Sequence, residues 1–270
     1  MDIAARSVLV TGASSGIGAA TAVAMARAGA ASVALVARSE EGLERVAEQV
    51  RALGASAGVF PADLADPAAA EATGRAVVER HGAPDVLVNN AGAGRWLFTE
   101  DTPAIEAAAM MAVPYLAAFA VTRAVLPAML ARRHGAIVTV TSPAAFCPWP
   151  GATAYAAARW AMRGFHEALR ADLTGTGLHV ALVVPGEVRS PYFEHNPGSH
   201  ERIPRVARLY RVLEADEAAA LVVRAAKRER RVVVAPALLR MTLGLHRYLP
   251  GPVEWLVRRT GASRVGRHAV

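Results

Sequence analysis

Ser7-Val8-Leu9-Val10-Thr11-Gly12-Ala13-Ser14-Ser15-Gly16-Ile17-Gly18 is the stretch that decides the fold. Its first five residues are short, mostly apolar and rich in β-branched side chains, as in a strand buried on both faces. Gly12 then permits a sharp exit from the strand. Gly16 and Gly18 remove the Cβ atoms that would hold backbone and helix away from a pyrophosphate. A helix starting at Gly16 aims free N–H groups and the positive end of its dipole back at this loop, and Ser14, Ser15 and Ile17 complete the cradle. Glycines also mark ordinary turns, but here the strand–loop–helix context that gives them meaning is present.

Outward from the loop, strands and helices alternate. Ser32–Ala37 reads as a strand, Glu40 to Leu53 as a charged amphipathic helix, Ala57–Phe60 as a strand, Ala68–His81 as a helix and Val86–Asn89 as a strand. A long helix follows around Pro103–Arg132, then strand Ala136–Val140, helix Tyr155–Leu173 and strand His179–Val184. After a polar, proline-bearing loop, Pro185–Pro204, come helix Asp216–Arg228 and strand Arg231–Ala235. Short apolar strands without a polar face predict an α/β fold. It is a single Rossmann-type, doubly wound parallel sheet with helices on both faces. Residues 1–236 are expected to form the catalytic domain, and residues 237–270 a basic, amphipathic helical C-terminal extension of it.

A chain of 270 residues, 53% hydrophobic, can bury a substantial core. The single cysteine, Cys147, excludes an internal disulfide framework and a thiolate metal cluster, so a reducing compartment and no metal are expected. The residues ahead of Val8 show no cationic region, long apolar stretch or cleavage site, so no secretory leader is expected. The longest uncharged apolar stretch, Ala107 to Val121, contains Pro114 and falls short of the ~20 residues of a membrane span. A soluble cytoplasmic protein is the expectation.

The net charge of +7 is uneven, with residues 1–223 at −2 and residues 224–270 at +9. That asymmetry, with no zinc-finger or aromatic-basic motif, argues against a nucleic-acid partner. The basic end would attract anionic substrates, acidic proteins or a membrane surface, although a solvated arginine-rich surface is the preferred account. Of 30 basic residues only Lys227 is a lysine.

The Gly-x-x-x-Gly-x-Gly spacing resembles the short-chain dehydrogenase/reductase family, and further landmarks follow in order. Asp63-Leu64 stands after the third strand, where the family contacts adenine. Asn89-Asn90-Ala91-Gly92 follows the fourth strand, where the family stabilises the sheet and lines the cofactor cleft. Pro185-Gly186 follows the sixth, with Val188 and Ser190 placed like the residues that hold the carboxamide. The resemblance covers about residues 3–234. It implies hydride transfer between a nicotinamide cofactor and a small carbonyl or alcohol substrate, in a homo-oligomer, dimer or tetramer. At the end of the second strand an NAD site places a carboxylate for the ribose 2′-hydroxyl. This chain has Ala37-Arg38-Ser39 there, and a guanidinium suits a 2′-phosphate. NADP(H) is therefore preferred over NAD(H), which the site also admits.

The same resemblance places Ser142 on the substrate oxygen and makes Tyr155, thirteen residues on, the proton donor or acceptor. An unperturbed phenol titrates near ~10 and needs a neighbouring cation to work near neutrality. The family supplies lysine four residues later. Here the residue is Arg159, which brings positive charge and forked donors to the same helical face but cannot relay a proton. Counting back from Leu126-Pro127, Pro114 stands where the family carries a helix-breaking asparagine that anchors a relay water. Proline frees the carbonyl of Met110, so it either reproduces the kink without the side chain or merely packs. An active oxidoreductase thus competes with a cofactor-binding protein of little or no redox activity.

Arg189–Pro204 brings Tyr192, Phe193, His195, His200 and Arg202 to the point where the family closes on substrate, and the two histidines read as solvated loop residues. Phe146, Trp149, Trp160 and Trp96 are a cleft wall, or else core or oligomer contacts. The apolar and basic run Leu238–Arg259 is expected to be a substrate lid or an oligomer contact before a peripheral membrane surface.

Overall fold

A computed structural model of the protein describes residues 1–228 and 230–264, so Glu229 and the end of the expected extension, residues 265–270, lie outside the described residues. The chain runs β1 (Ser7–Thr11), α1 (Gly16–Arg27), β2 (Ser32–Ala37), α2 (Glu40–Ala52), β3 (Ser56–Pro61), α3 (Pro67–His81), β4 (Val86–Asn89), α4 (Ala104–Met111) and α5 (Ala117–Arg132). It continues with β5 (Gly135–Val140), α6 (Thr153–Asp172), β6 (Leu178–Pro185), β7 (Val188–Arg189), α7 (Tyr192–His195) and β8 (Leu213–Glu214). Last come α8 (Ala215–Arg228), β9 (Val232–Ala235), α9 (Ala237–Tyr248) and α10 (Pro250–Thr260).

Seven strands form one parallel sheet in the order β3-β2-β1-β4-β5-β6-β9, as the uninterrupted alternation predicts. Period-two alternation sends Val8, Val10, Val88, Val138 and Val183 into the layer with α1, α2 and α8. Their neighbours Leu9, Leu87, Ile137 and Val180 enter the opposite layer, with α3, α5 and α6. From β1 the chain winds one way through β2 and β3, and from β4 the other way through β5 and β6. The loops leaving β1 and β4 diverge, and a crevice opens at the carboxyl ends of the strands.

Local chemistry fixes the helix starts. The Ser39 hydroxyl accepts from the Gly42 N–H at 3.1 Å, and Glu40 and Glu41 face the positive end of α2. The Asp66 carboxylate accepts from the Ala68 N–H at 2.9 Å, with Pro67 opening α3.

Three sequence expectations are revised. The single long helix is α4 and α5 joined by a π-turn, Ala112–Leu116, around the buried Pro114. Because the turn keeps the helix unbroken through the proline, Ala104–Arg132 forms 29 continuous residues, with an 18-residue window of mean hydropathy 1.7, long and apolar enough to cross a membrane. The helix has the extent of about Pro103–Arg132 expected from sequence, and what is revised is the reading that its apolar part is too short to cross a membrane. In the fold α5 packs on α3 and the sheet, with Val121, Val125 and Met129 buried. Finally, the loop after β6 is not wholly irregular, because β7 pairs with β8 through Val188↔Leu213 and α7 follows.

Candidate active site

The phosphate loop is built by contact as well as by glycine. Gly12 has φ +66 and Gly16 φ +54, a left-handed region costly for other residues. A Cβ on Gly18 would stand 2.0 Å from the Gly12 carbonyl oxygen, so loop and helix could not close. Asn90 straps β4 to this loop, its Nδ2 donating to the carbonyls of Thr11 (3.0 Å) and Gly12 (3.3 Å). The Thr11 hydroxyl accepts from the N–H groups of Asn90 (3.0 Å) and Ala91 (3.1 Å). No side chain caps the N-terminus of α1, so its first N–H groups face the crevice.

A cavity of about 1000 Å³ runs along this edge, lined by Gly12, Ser14, Ser15, Gly16, Ile17, Arg38, Asp63, Leu64, Asn90, Ala91 and Gly92. Of the expected loop residues only Gly18 does not line it. Gly18 lies under the loop, where its missing side chain makes room for Gly12 and Asn90. Arg38 is exposed at the rim and pairs with no carboxylate among the described residues. Pro185, Gly186, Val188 and Ser190 form the opposite lip, with Ser190 against Gly16.

The same cavity holds Ser142, Tyr155 and Arg159. Ser142 follows β5 and its Oγ accepts from the Ala144 N–H at 3.2 Å, which holds the hydroxyl at the start of a tight turn. Tyr155 sits in the first turn of α6 and Arg159 one turn later, so both project from one face. The Arg159 guanidinium lies over the Tyr155 ring at 4.7 Å. Its Nη1 contacts Met162 Sδ at 3.5 Å, while its Nε is buried with no partner. A Cβ on Gly92 would meet Arg159 Nη2 at 2.9 Å, so this glycine leaves the room that the large head occupies. A buried cation without a carboxylate is costly alone and is suited to a ligand rich in oxygen acceptors. With the glycine cradle at the other end, the residues present fit a dinucleotide.

Sequence reasoning missed how the substrate end is locked. The Tyr192 hydroxyl donates to the Gly94 carbonyl at 2.6 Å and accepts from Trp96 Nε1 at 3.2 Å. Asn196 Nδ2 donates to the Tyr192 carbonyl at 2.7 Å, and Asn196 Oδ1 accepts from the Gly94 N–H at 3.1 Å. Trp96 N–H donates to Ser199 Oγ at 2.9 Å. Burial, with Tyr155 beside it, raises the Tyr192 phenol well above its ordinary range, so it remains a neutral donor. Apart from Tyr192 and Asn196, which are one helical turn apart, these partners lie about a hundred residues apart, and no local signal marks them.

Trp96 stacks against Trp149, Tyr155 and Phe193, with centroids at 4.9, 5.3 and 5.7 Å, and all four line the cavity. Trp160 and Phe146 do not. Trp160 is exposed on the outer face of α6, where helical phase turns it away, and Phe146, in the loop before α6, lies under Arg163. His200, in a short 3₁₀ turn, is bonded to Glu187 at 3.1 Å, and His195 ends α7 at the lip, so both are exposed as expected but neither lies in irregular loop. Lys227 is remote, paired with Asp2 at 3.7 Å. Leu239, Leu243, Val253 and Val257 of α9 and α10 close the apolar end, so the extension is a wall of the site.

Residues 6–199 match the family model of the short chain dehydrogenases. The chain is 38% identical over 197 residues to a short chain dehydrogenase of Pseudocercospora fijiensis, a match covering 68% of this chain and 60% of the fungal one. It therefore spans less than two thirds of that relative's length. A dehydrogenase/reductase SDR family protein 7-like of Anopheles gambiae is 32% identical over 269 residues, 93% of this chain and 82% of the other. The solved short-chain dehydrogenase from Sphingobium yanoikuyae, in complex with NADPH, superposes with TM-score 0.79 at 25% identity, over 96% of this chain and 99% of that one. Fold, motif order and sequence agree: the chain belongs to the short-chain dehydrogenase/reductase family of oxidoreductases.

Proposed function

We propose that the protein is an NADP(H)-dependent oxidoreductase acting on a carbonyl or alcohol carbon. The convergence of Ser142, Tyr155 and Arg159 on the cavity that begins at the phosphate loop carries this reading. Gly12, Ser14, Ser15, Gly16, Ile17 and Gly18 would hold or shape the pyrophosphate site, and Asp63 and Leu64 the adenine site. Arg38 would pair with a 2′-phosphate. Asn90, Ala91, Gly92, Tyr155 and Arg159 would line the second ribose, with Pro185, Gly186 and Val188 beside the carboxamide. The NADPH held by the Sphingobium relative supports the choice.

Bound nicotinamide supplies or accepts the hydride. Ser142 Oγ orients the substrate oxygen by hydrogen bonding. The Tyr155 hydroxyl gives that oxygen its proton in reduction and takes it back in oxidation. Arg159 fixes the Tyr155 ring from one face and adds positive charge beside it, without itself shuttling a proton. The aromatic wall excludes water from the reacting end.

A panel of carbonyl compounds with NADPH, read by loss of nicotinamide absorbance beside a cofactor titration, tests the proposal. Tyr155→Phe should abolish turnover and leave NADPH affinity largely unchanged. NADPH binding with no turnover of any carbonyl or alcohol would make the site a cofactor-binding module instead.

A further inference from the structure

The outer face of the α9–α10 hairpin has no role in the site just described. In α9, Leu238, Met241, Leu245 and Tyr248 recur at helical spacing along one exposed stripe, Met241 at 68% and Tyr248 at 78% exposure. The stripe continues around the turn through Leu249, Trp255 and Leu256, with Trp255 58% exposed. Arg240, Arg247, Arg258 and Arg259 flank it. Arg247 lies over the Tyr248 ring at 5.9 Å and Arg259 over Trp255 at 5.8 Å, so the cations sit at the edge of the apolar surface. Residues 237–264 carry five arginines, of which Arg264 is paired with Glu100, and one carboxylate, Glu254. Glu254 is engaged by His246 at 3.3 Å across the two helices, which braces the hairpin.

A partner for this face must offer negative charge and apolar depth together. A second copy is a poorer occupant, since pairing this face with itself brings two sets of arginines together while each copy offers only Glu254, already engaged by His246. An anionic bilayer supplies phosphate at the arginine level and acyl chains below the leucines, with tyrosine and tryptophan at the boundary. The opposite face of the same helices walls the reaction cavity with Leu239, Leu243, Val253 and Val257. We propose that α9–α10 docks the protein on an anionic lipid surface, and that the substrate is a lipid-soluble alcohol or carbonyl compound drawn from it. The substrate half rests on the oxidoreductase function proposed above; the docking half does not.

Co-sedimentation without cofactor tests docking alone, using vesicles of phosphatidylcholine and phosphatidylglycerol in equal parts beside pure phosphatidylcholine. The protein should enrich on the anionic vesicles at low salt. The enrichment should fall on the order of tenfold in Leu245→Glu, and similarly in Arg240→Glu/Arg247→Glu, with unchanged circular dichroism. No enrichment, equal binding to both vesicle types, or variants that bind like the parent would overturn docking. So would a dimer that Leu245→Glu dissolves without any vesicle binding. In turnover assays Leu245→Glu should slow a long-chain aldehyde presented in anionic vesicles and leave a short water-soluble aldehyde unaffected. Equal rates with the parent on both would overturn the substrate half. Vesicle binding without turnover of either aldehyde would count against the redox function and leave docking standing.

Discussion

Arg159 shows how one residue can depart from a family pattern and still fit its site. A guanidinium needs more room than an ammonium, and Gly92 and the Tyr155 ring provide it on two sides. A pocket shaped to the larger head should gain nothing from the family residue. Arg159→Lys is expected to leave turnover equal or lower, whereas Arg159→Ala should cost both turnover and NADPH affinity, as steady-state kinetics and a titration would read. A parent with no activity that Arg159→Lys switches on would refute this. Arg38 is a second decision at the same scale. With no carboxylate partner among the described residues, its charge is free to choose between cofactors, and NADPH should bind at least about tenfold tighter than NADH. Arg38→Asp should erase or reverse that preference, and equal affinities in the parent would exclude the assigned role.

Among the elements, the loop between β1 and α1 is the least tolerant. Gly18 is close-packed against backbone, with the Gly12 carbonyl and Asn90 Nδ2 at 2.0 and 2.5 Å from a would-be Cβ. Gly18→Ala should lower stability by about 1–3 kcal/mol and abolish NADPH binding, measured by denaturant unfolding and titration. Gly54, with nothing near a would-be Cβ, provides a contrast: it tolerates the bulk, and only its φ of +87 resists alanine. The break between α4 and α5 was legible as a kink, because proline in a helix removes a donor. Its form as a π-turn that leaves the helix unbroken was not, because i→i+5 bonding depends on what the helix packs against.

Across the whole molecule, His166 is a built-in acid sensitivity. It is fully buried and neither ring nitrogen has a partner among the described residues, so burial lowers its pKa from 6.5 to about 4. The unfolded chain takes up the proton first as pH falls through 6.5, while the folded protein resists until about 4. Stability is therefore full above that window and lost within it, by on the order of 3 kcal/mol. Urea midpoints from pH 7 to 4 should fall, and His166→Leu should flatten part of the decline. An unchanged slope in the variant would remove His166 as its source.

Periodicity and glycine spacing determined the sheet, its two helical layers and the phosphate loop, because these depend on local backbone sterics and on which face of each element is apolar. The same spacing put Tyr155 and Arg159 on one helical face. Tertiary structure decided what distance along the chain conceals: the lock between Gly94, Trp96, Tyr192, Asn196 and Ser199, and the departure of Trp160 and Phe146 from the cleft wall. It also divided the C-terminal helices into an inner face that closes the cavity and an outer one left exposed. An amphipathic pattern records that a helix has two faces. Only packing against the rest of the chain determines which of them is turned inward.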